Sequence, residues 1–387
     1  MDLAVLKEGK AILYVPETKN AMIKPGIIEP SHLPVFYNPV MIFNRDVSMV
    51  SLSSFIEVYW PGKKLNAIDA LSATGVRGIR YSLEVSNLSE LIINDNDPLA
   101  YEIMLKNIKL NKVEDKVKAY KREANSLMRS LKFEENKPIN IIDLDPFGSI
   151  IPFIDSAISI SSKGSLLALT ATDLAVIGGS KFRAAKRKYQ VNLINTKHYR
   201  EIAVRALIAY IAKISAAYDR SIIPLLSYSS DHYARLYLLI DKGAKKAENM
   251  LEKEIGYFIL YNGLMEFADN YSEKILGPIW KGEIINKDFA VNIYNNLINN
   301  YKYLESYERI EKFFNIIIRE SELQNYLHQR IDTICQYQHK SMPSIEKFIE
   351  ELEKLNYKAS RSSFSSVGIR TNAPIEVLVD ICKKLSK

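Results

Sequence analysis

Asp143-Leu144-Asp145-Pro146-Phe147-Gly148 closes an apolar run that starts at Ile139. Its residue types suit one demanding reaction. The exocyclic amine of a nucleobase is a poor nucleophile, because its lone pair is conjugated into the ring. A carboxylate that accepts the amine's N–H bonds draws the nitrogen toward tetrahedral geometry and holds it in line with an electrophilic methyl group. Asp145 is placed for that task, with the Pro146 carbonyl as a second acceptor. Phe147 offers a ring on which an extruded base can stack, and Gly148 allows close approach. The competing account is a strand that ends in a proline turn beside a core phenylalanine. Asp143 suits a supporting role.

Three earlier segments could hold the donor of such a methyl group. Asp69 to Arg80 reads Asp-Ala-Leu-Ser-Ala-Thr-Gly-Val-Arg-Gly-Ile-Arg. Gly75 and Gly78 would let the chain turn tightly from strand to helix with a ligand against the backbone. Ala73 stands where a glycine pattern usually begins, and a tight turn with no ligand is an open alternative. Next comes Asn94-Asp95-Asn96-Asp97-Pro98. Asp95 sits where an acid accepts hydrogen bonds from ribose hydroxyls, whereas Asp97 suits the N-cap of a helix starting at Pro98. After a third strand, Glu123 could accept from an adenine amine and the Ala124 backbone could touch the ring. An exposed surface Glu is the rival account. Further upstream, Arg45 could reach a carboxylate and Phe36 could close the other face of a base. The cations Lys181, Arg183, Lys186, Arg187 and Lys188 crowd the loop after the fifth strand; they suit either a solvated face or phosphate contacts.

The elements that must position these residues follow from the pattern. The prolines of residues 1–50 (Pro16, Pro30, Pro34 and Pro39 among them) exclude long helices there. Short strands are expected at Leu65–Leu71, Leu91–Asn94, Val117–Tyr120, Ile139–Leu144 and Ser165–Thr170, with a helix at Pro98–Asn111 and a long one over 198–218. Strands alternating with helices imply a parallel sheet covered on both faces. Ile222–Tyr228 and Ala234–Ile240 are joined too closely for a helical crossover, so they are expected antiparallel. This α/β pattern looks like the class I, Rossmann-like methyltransferase sheet. Beyond about 241 helical periodicity dominates 241–255 and 301–355, with Leu304, Tyr307, Phe314 and Ile317 facing a core. The tail from Tyr357 to Asn372 reads as a basic hairpin after helices, the outline of a winged helix. The expected division is therefore 1–240, a methyltransferase domain with its N-terminal segment, and 241–387, a second, smaller α/β domain.

Bulk properties agree with a folded, two-domain protein. The chain has 387 residues, 47% of them hydrophobic, and 52 Lys and Arg against 45 Asp and Glu give a formal charge of +7. That excess permits a nucleic-acid partner without requiring one. Cys335 and Cys382 are the two cysteines, too few for a disulfide framework or a four-cysteine zinc site, and two buried thiols are the simplest expectation. With no apolar run near ~20 residues and no secretory layout at the N-terminus, a cytoplasmic protein is expected.

These motifs together resemble the archaeal and eukaryotic tRNA guanine-26 N2-dimethyltransferase family, which uses S-adenosylmethionine. The resemblance runs nearly end to end. It covers Phe36-Tyr37-Asn38-Pro39, Asn44-Arg45-Asp46, Ser72 to Arg80, Asp145-Pro146-Phe147-Gly148, Ser227-Tyr228 with Asp231-His232-Tyr233, Gly277-Pro278-Ile279-Trp280, Ser360-Arg361 with Phe364, and Thr371-Asn372-Ala373-Pro374. By that resemblance Arg45, Arg77, Asp95, Glu123 and Ala124 bind the cofactor, joined by Asp69 and Gly75 of the glycine turn. Asp145, with Pro146 and Phe147, is catalytic. Phe36 and Phe147 sandwich the guanine, and the second domain holds tRNA. Many archaeal members carry a four-cysteine zinc site before the Gly-Pro-Ile-Trp segment; Gly256 to Phe267 has no cysteine here, so no metal is expected. Ser363 stands where the family has a histidine, and Glu123 where it often has aspartate. A monomer is expected. The alternatives are a base-amine methyltransferase acting at another RNA position and a non-catalytic tRNA-binding protein.

Overall fold

A computed structural model describes residues 2–17, 21–24, 27–261, 263–268 and 275–385. In chain order the first elements are the strands β1 (Leu3–Glu8), β2 (Ala11–Pro16), β3 (Met22–Lys24) and β4 (Ile27–Ile28), then helix α1 (Ile42–Tyr59). An alternating series follows: β5 (Leu65–Asp69), α2 (Val76–Glu84), β6 (Leu88–Asn94), α3 (Pro98–Leu110), β7 (Val117–Tyr120), α4 (Ala124–Phe133), β8 (Ile141–Leu144), α5 (Ile151–Ile160) and β9 (Leu166–Ala171). Then come α6 (Leu174–Ile177), α7 (Phe182–Tyr189), α8 (Tyr199–Ala216), β10 (Arg220–Ser230), β11 (Tyr233–Lys242), α9 (Ala244–Glu254), β12 (Ile255–Tyr261), β13 (Leu264–Ala268) and β14 (Leu276–Trp280). The chain closes with α10 (Lys287–Asn300), α11 (Tyr307–Glu320), β15 (Gln329–Arg330), α12 (Ile331–Tyr337), α13 (Ile345–Lys354), β16 (Ala359–Arg361), β17 (Gly368–Thr371) and α14 (Ile375–Leu385).

Two compact units form, and both are discontinuous. One comprises Met1–Thr170 with Asn292–Glu311, the other Ala171–Val291 with Lys312–Lys387. The expected boundary at 240/241 falls within the second.

In the first unit β9, β8, β5, β6 and β7 pair in that order, all parallel. Every residue of β8 and β9 is buried, the mark of strands covered on both faces. Five expected strands therefore appear within a few residues of their expected ends. The N-terminal segment departs from expectation. β1 and β2 form an antiparallel hairpin whose free edge is docked by amide side chains of α3 and of its C-cap residue. Asn107 Nδ2 donates to the Tyr14 carbonyl (3.0 Å) while its Oδ1 accepts from the Tyr14 amide, and Asn111 treats Ile12 in the same way. A long helix does begin before residue 50, because Pro39 ends the extended run and Ile42 onward is free of proline. Fourteen consecutive residues of α1, Phe43 to Ile56, are buried. The segment 292–311 returns to this unit: Ser306 N donates to Asp46 Oδ2 (3.0 Å) and Tyr301 Oη to the Glu84 carbonyl (2.9 Å).

In the second unit β10 and β11 are antiparallel along their whole length, as expected. β13, β12 and β14 form a small antiparallel sheet that the periodicity of 241–300 did not reveal. The C-terminal part combines α12, α13 and α14 with the antiparallel order β15-β17-β16, the expected winged-helix outline. Phe314 and Ile317 are fully buried. Cys335 and Cys382, expected as separate thiols, are joined in a disulfide with Cα atoms 5.9 Å apart. The packing of α12 on α14 creates that proximity across 47 residues of chain.

Candidate active site

The strand ends of the first unit converge. After β5 the chain turns through Ala73 (φ 48°) and Gly75 (φ 79°) into α2. Gly75 supplies a left-handed residue, whereas Gly78 supplies closeness: a Cβ there would lie 2.2 Å from Ile93 Cγ2 of β6. Ala73 takes the left-handed conformation that glycine adopts without strain. Its amide donates to Asp95 Oδ2 (2.9 Å).

Asp95 is thereby fixed at the end of β6, its other oxygen accepting from the Asp97 amide (3.0 Å). Burial pushes its carboxyl above the usual range, against the opposing pull of those amides. Asp97 caps α3 through the Leu99 amide, as expected. Asn94, fully buried, ties three strand ends together: Nδ2 donates to the carbonyls of Ala70 (3.1 Å) and Arg122 (3.0 Å). Glu123 is exposed and caps α4, accepting from the amides of Asn125 (3.0 Å) and Ser126 (2.8 Å). Slight burial would raise its pKa, but those amides hold it below the ordinary value. Ala124 follows, buried, at the start of α4.

Arg77 organises the centre. It is 3% exposed. Nη1 donates to Ser48 Oγ (2.8 Å), and Nη2 donates to Asn44 Oδ1 (2.8 Å) and to Asp145 Oδ2. Asp143 Oδ2 lies 3.9 Å from Nη1 and accepts from Tyr81 Oη (2.6 Å). Asp145 is the open member of this group, its side chain 22% exposed. Beside it the Phe147 ring is 77% exposed, and Phe36 meets it edge-on with centroids 5.7 Å apart. Gly148 owes its identity to φ of 104°, since a Cβ there would meet nothing within 4 Å.

Asp69 is 1% exposed, and neither carboxylate oxygen has a hydrogen-bond partner among the described residues. Burial, followed by the charge of Asp143, pushes its pKa up to about 7. An acceptor in this state is prepared for an incoming cation. Arg45 has structural partners in the folded chain. Its Nε and Nη2 grip the two oxygens of Glu8 at 2.7 Å each, and Nη2 also donates to the Asn38 carbonyl. Burial pushes the Glu8 carboxyl up, but Arg45 and Arg80 outweigh it and hold the pKa at about 2.

The sequence thus located Asp69, Gly75, Arg77, Asp95, Asp145 and Phe147 around one set of strand ends. It did not reveal that Asn44 and Ser48 hold Arg77, that Tyr81 holds Asp143, or that Glu8 engages Arg45. The spacing of Asn44 and Ser48, one helical turn apart, was an available signal; Glu8 had none. The cations Lys181 to Lys188, expected in a loop, lie on and before helix α7.

The chain is similar over nearly its whole length to known proteins. Residues 9–383 match the family model described as N2,N2-dimethylguanosine tRNA methyltransferase. The tRNA (guanine(26)-N(2))-dimethyltransferase of Aeropyrum pernix is 34% identical, covering 100% of this chain and 98% of its own. That of Saccharolobus solfataricus is 33% identical, with full coverage of both. The solved structure of Trm1 from Pyrococcus horikoshii in complex with S-adenosyl-L-methionine superposes with a TM-score of 0.87 at 30% identity, covering 98% of this chain and 99% of its own.

Proposed function

The chain belongs to the N2,N2-dimethylguanosine tRNA methyltransferase family, and we propose on that footing that it methylates the exocyclic 2-amino group of guanine 26 in tRNA. Two rounds of transfer from S-adenosylmethionine give N2,N2-dimethylguanosine. The observation that carries the reading is the clamp on Asp145. Arg77, itself held by Asn44 and Ser48, binds one carboxylate oxygen, Oδ2, and leaves Oδ1 for a ligand, with the exposed Phe147 ring two residues on.

Oδ1 of Asp145 accepts the N–H of the base amine and, as nitrogen bonds to the methyl carbon, takes up the displaced proton. The Pro146 carbonyl serves as second acceptor. Phe147 stacks on one face of the guanine. Phe36 closes the other after the two rings part and turn face-on, since edge-on contact fills the space a base would need. The cofactor supplies an electrophilic methyl on a sulfonium. The residues present fit it: Asp69 offers an unpartnered carboxylate to its ammonium, Asp95 its carboxylate to the ribose hydroxyls, and Gly75 a turn with open backbone. Arg77 contributes through Asp145. Ala124 and Glu123 stand at the adenine end, and Arg45 retains Nη1 for the carboxylate. Residues 1–240 carry methyl transfer and residues 241–387 contribute to holding tRNA, with the enzyme acting as a monomer.

The test is transfer of tritiated methyl to an unmodified tRNA transcript beside a matched transcript with adenine at position 26. Dimethylguanosine formed only in the first supports chemistry, base and position together. Equal labelling of both moves the target, and no labelling of either removes the reading.

A further inference from the structure

Seven of the chain's cations and none of its acids fall within residues 174–200: Lys181, Arg183, Lys186, Arg187, Lys188, Lys197 and Arg200. The whole chain's formal excess is also +7, so the remaining residues balance one another. This stretch thus carries a local excess equal to that of the whole chain. We propose that the exposed face of α7, with the cavity at its foot, carries the sugar-phosphate backbone of the tRNA. This rests on the reading of tRNA as substrate.

The helix is built to hold that face outward. Ala185 and Tyr189, one turn apart, bury one side of α7. Tyr189 Oη donates to Asp173 Oδ2 (2.8 Å), and its ring packs edge-on against Tyr210 at 5.2 Å. The anchored helix then presents Lys181, Phe182, Arg183, Lys186, Arg187 and Lys188 outward, all exposed. Among the described residues none of these five cations has a carboxylate within 4 Å, although the chain pairs its charges widely elsewhere. A helix dipole accounts for cations in the last turn only; Lys181 and Arg183 stand at the positive end, where no acid offsets them. Cations kept against the dipole, with no carboxylate partner among the described residues, point to an external anion. Phe182, 52% exposed with the Arg183 guanidinium 5.9 Å from its ring centre, adds an aromatic platform of the kind that nucleic-acid surfaces interleave with charge.

Beside the helix start lies a cavity of about 470 Å³ whose polar lining is Ser180, Asn195, Thr196, Lys197 and Tyr199, with no acid among its lining residues. Of the remaining two cations of the stretch, Lys197 pairs with Asp332 at 3.3 Å and Arg200 donates to Tyr199 Oη and the Asp231 carbonyl. Backbone phosphates are the anion that a row of separate cations with hydroxyl and amide donors suits, since their repeat matches an extended surface where a single small anion would need only one cradle.

The experiment compares wild type with Lys186→Gln/Arg187→Gln/Lys188→Gln in methyl transfer, varying tRNA from 50 to 300 mM KCl. The three side chains are exposed, so cofactor binding serves as the check that the fold is intact. Expected are a KM for tRNA at least tenfold higher, a kcat within twofold, and a salt dependence of log affinity shallower by about two to three, at roughly 0.7–0.9 for each phosphate left without its cation. A control, Lys245→Gln/Lys253→Gln on α9, should change both by less than twofold. Unchanged KM and slope in the triple variant, or an equal change in the control, overturns the phosphate surface. Wild type inactive on tRNA instead overturns the proposed function.

Discussion

Replacement of Asp145 by asparagine separates the proposed chemistry from binding. Arg77 donates to Asp145 Oδ2, so the amide of the variant must turn its oxygen to Arg77 and its NH2 to the site. The base amine, a donor, then meets a donor. Acceptance of the N–H bond and uptake of the proton are lost together, each a contribution of two or more decades. The expected fall in transfer rate is about 10⁴-fold or more, about 5.5 kcal/mol of barrier. The fold should survive. Arg77 keeps Asn44 and Ser48, and Asp143 stands 3.9 Å away, so the stability lost is about 1–2 kcal/mol. The assay is single-turnover transfer with enzyme and cofactor saturating, with cofactor affinity measured beside it. Asp145→Ala should fall equally far. An asparagine variant within tenfold of wild type, with intact cofactor binding, refutes the assignment of Asp145 as acceptor.

Three further outcomes follow from the same geometry. Asp69 has a folded pKa of about 7 against an ordinary 3.8, so its charged form opposes folding: the cost is absent below pH 4, grows between 4 and 7, and is full above 7. Asp69→Asn should therefore gain in melting temperature relative to wild type as pH rises from 4 to 8 while cofactor affinity drops at least tenfold; a pH-independent difference would count against it. Ala73→Gly relieves a left-handed alanine (φ 48°) and should add about 0.5–1 kcal/mol in urea denaturation; a less stable variant would contradict this. The disulfide closes 47 residues between Cys335 and Cys382, so reduction should cost about 2–4 kcal/mol, read as a lower unfolding midpoint with reductant, and alkylation of two free thiols in the native protein would refute the bond.

Several parts of this fold were legible because the signals are local. Strand-length apolar runs such as Ile139–Leu144, the proline at the start of α3 and the short link between β10 and β11 each constrain a few adjacent residues. Asp97 as a cap followed from its place before Pro98. The β1–β2 hairpin was not legible, because its strands are stabilised by Asn107 and Asn111, about a hundred residues away. The small sheet of β12, β13 and β14 was hidden for a similar reason: its strands follow a helix and carry no clean alternation of burial.

What the sequence determined by itself was the set of chemical groups and their order: a glycine turn, an acid after the second strand and Asp-Pro-Phe-Gly after the fourth. Backbone geometry within one strand-turn-helix unit depends on neighbours in the chain, so residue order suffices. Tertiary structure alone decided which charges neutralise which. Arg45 paired with Glu8, Arg77 with Asp145, and the Asp69 carboxylate with no hydrogen-bond donor among the described residues, because burial makes each charge's free energy depend on groups that only folding brings within a few ångströms.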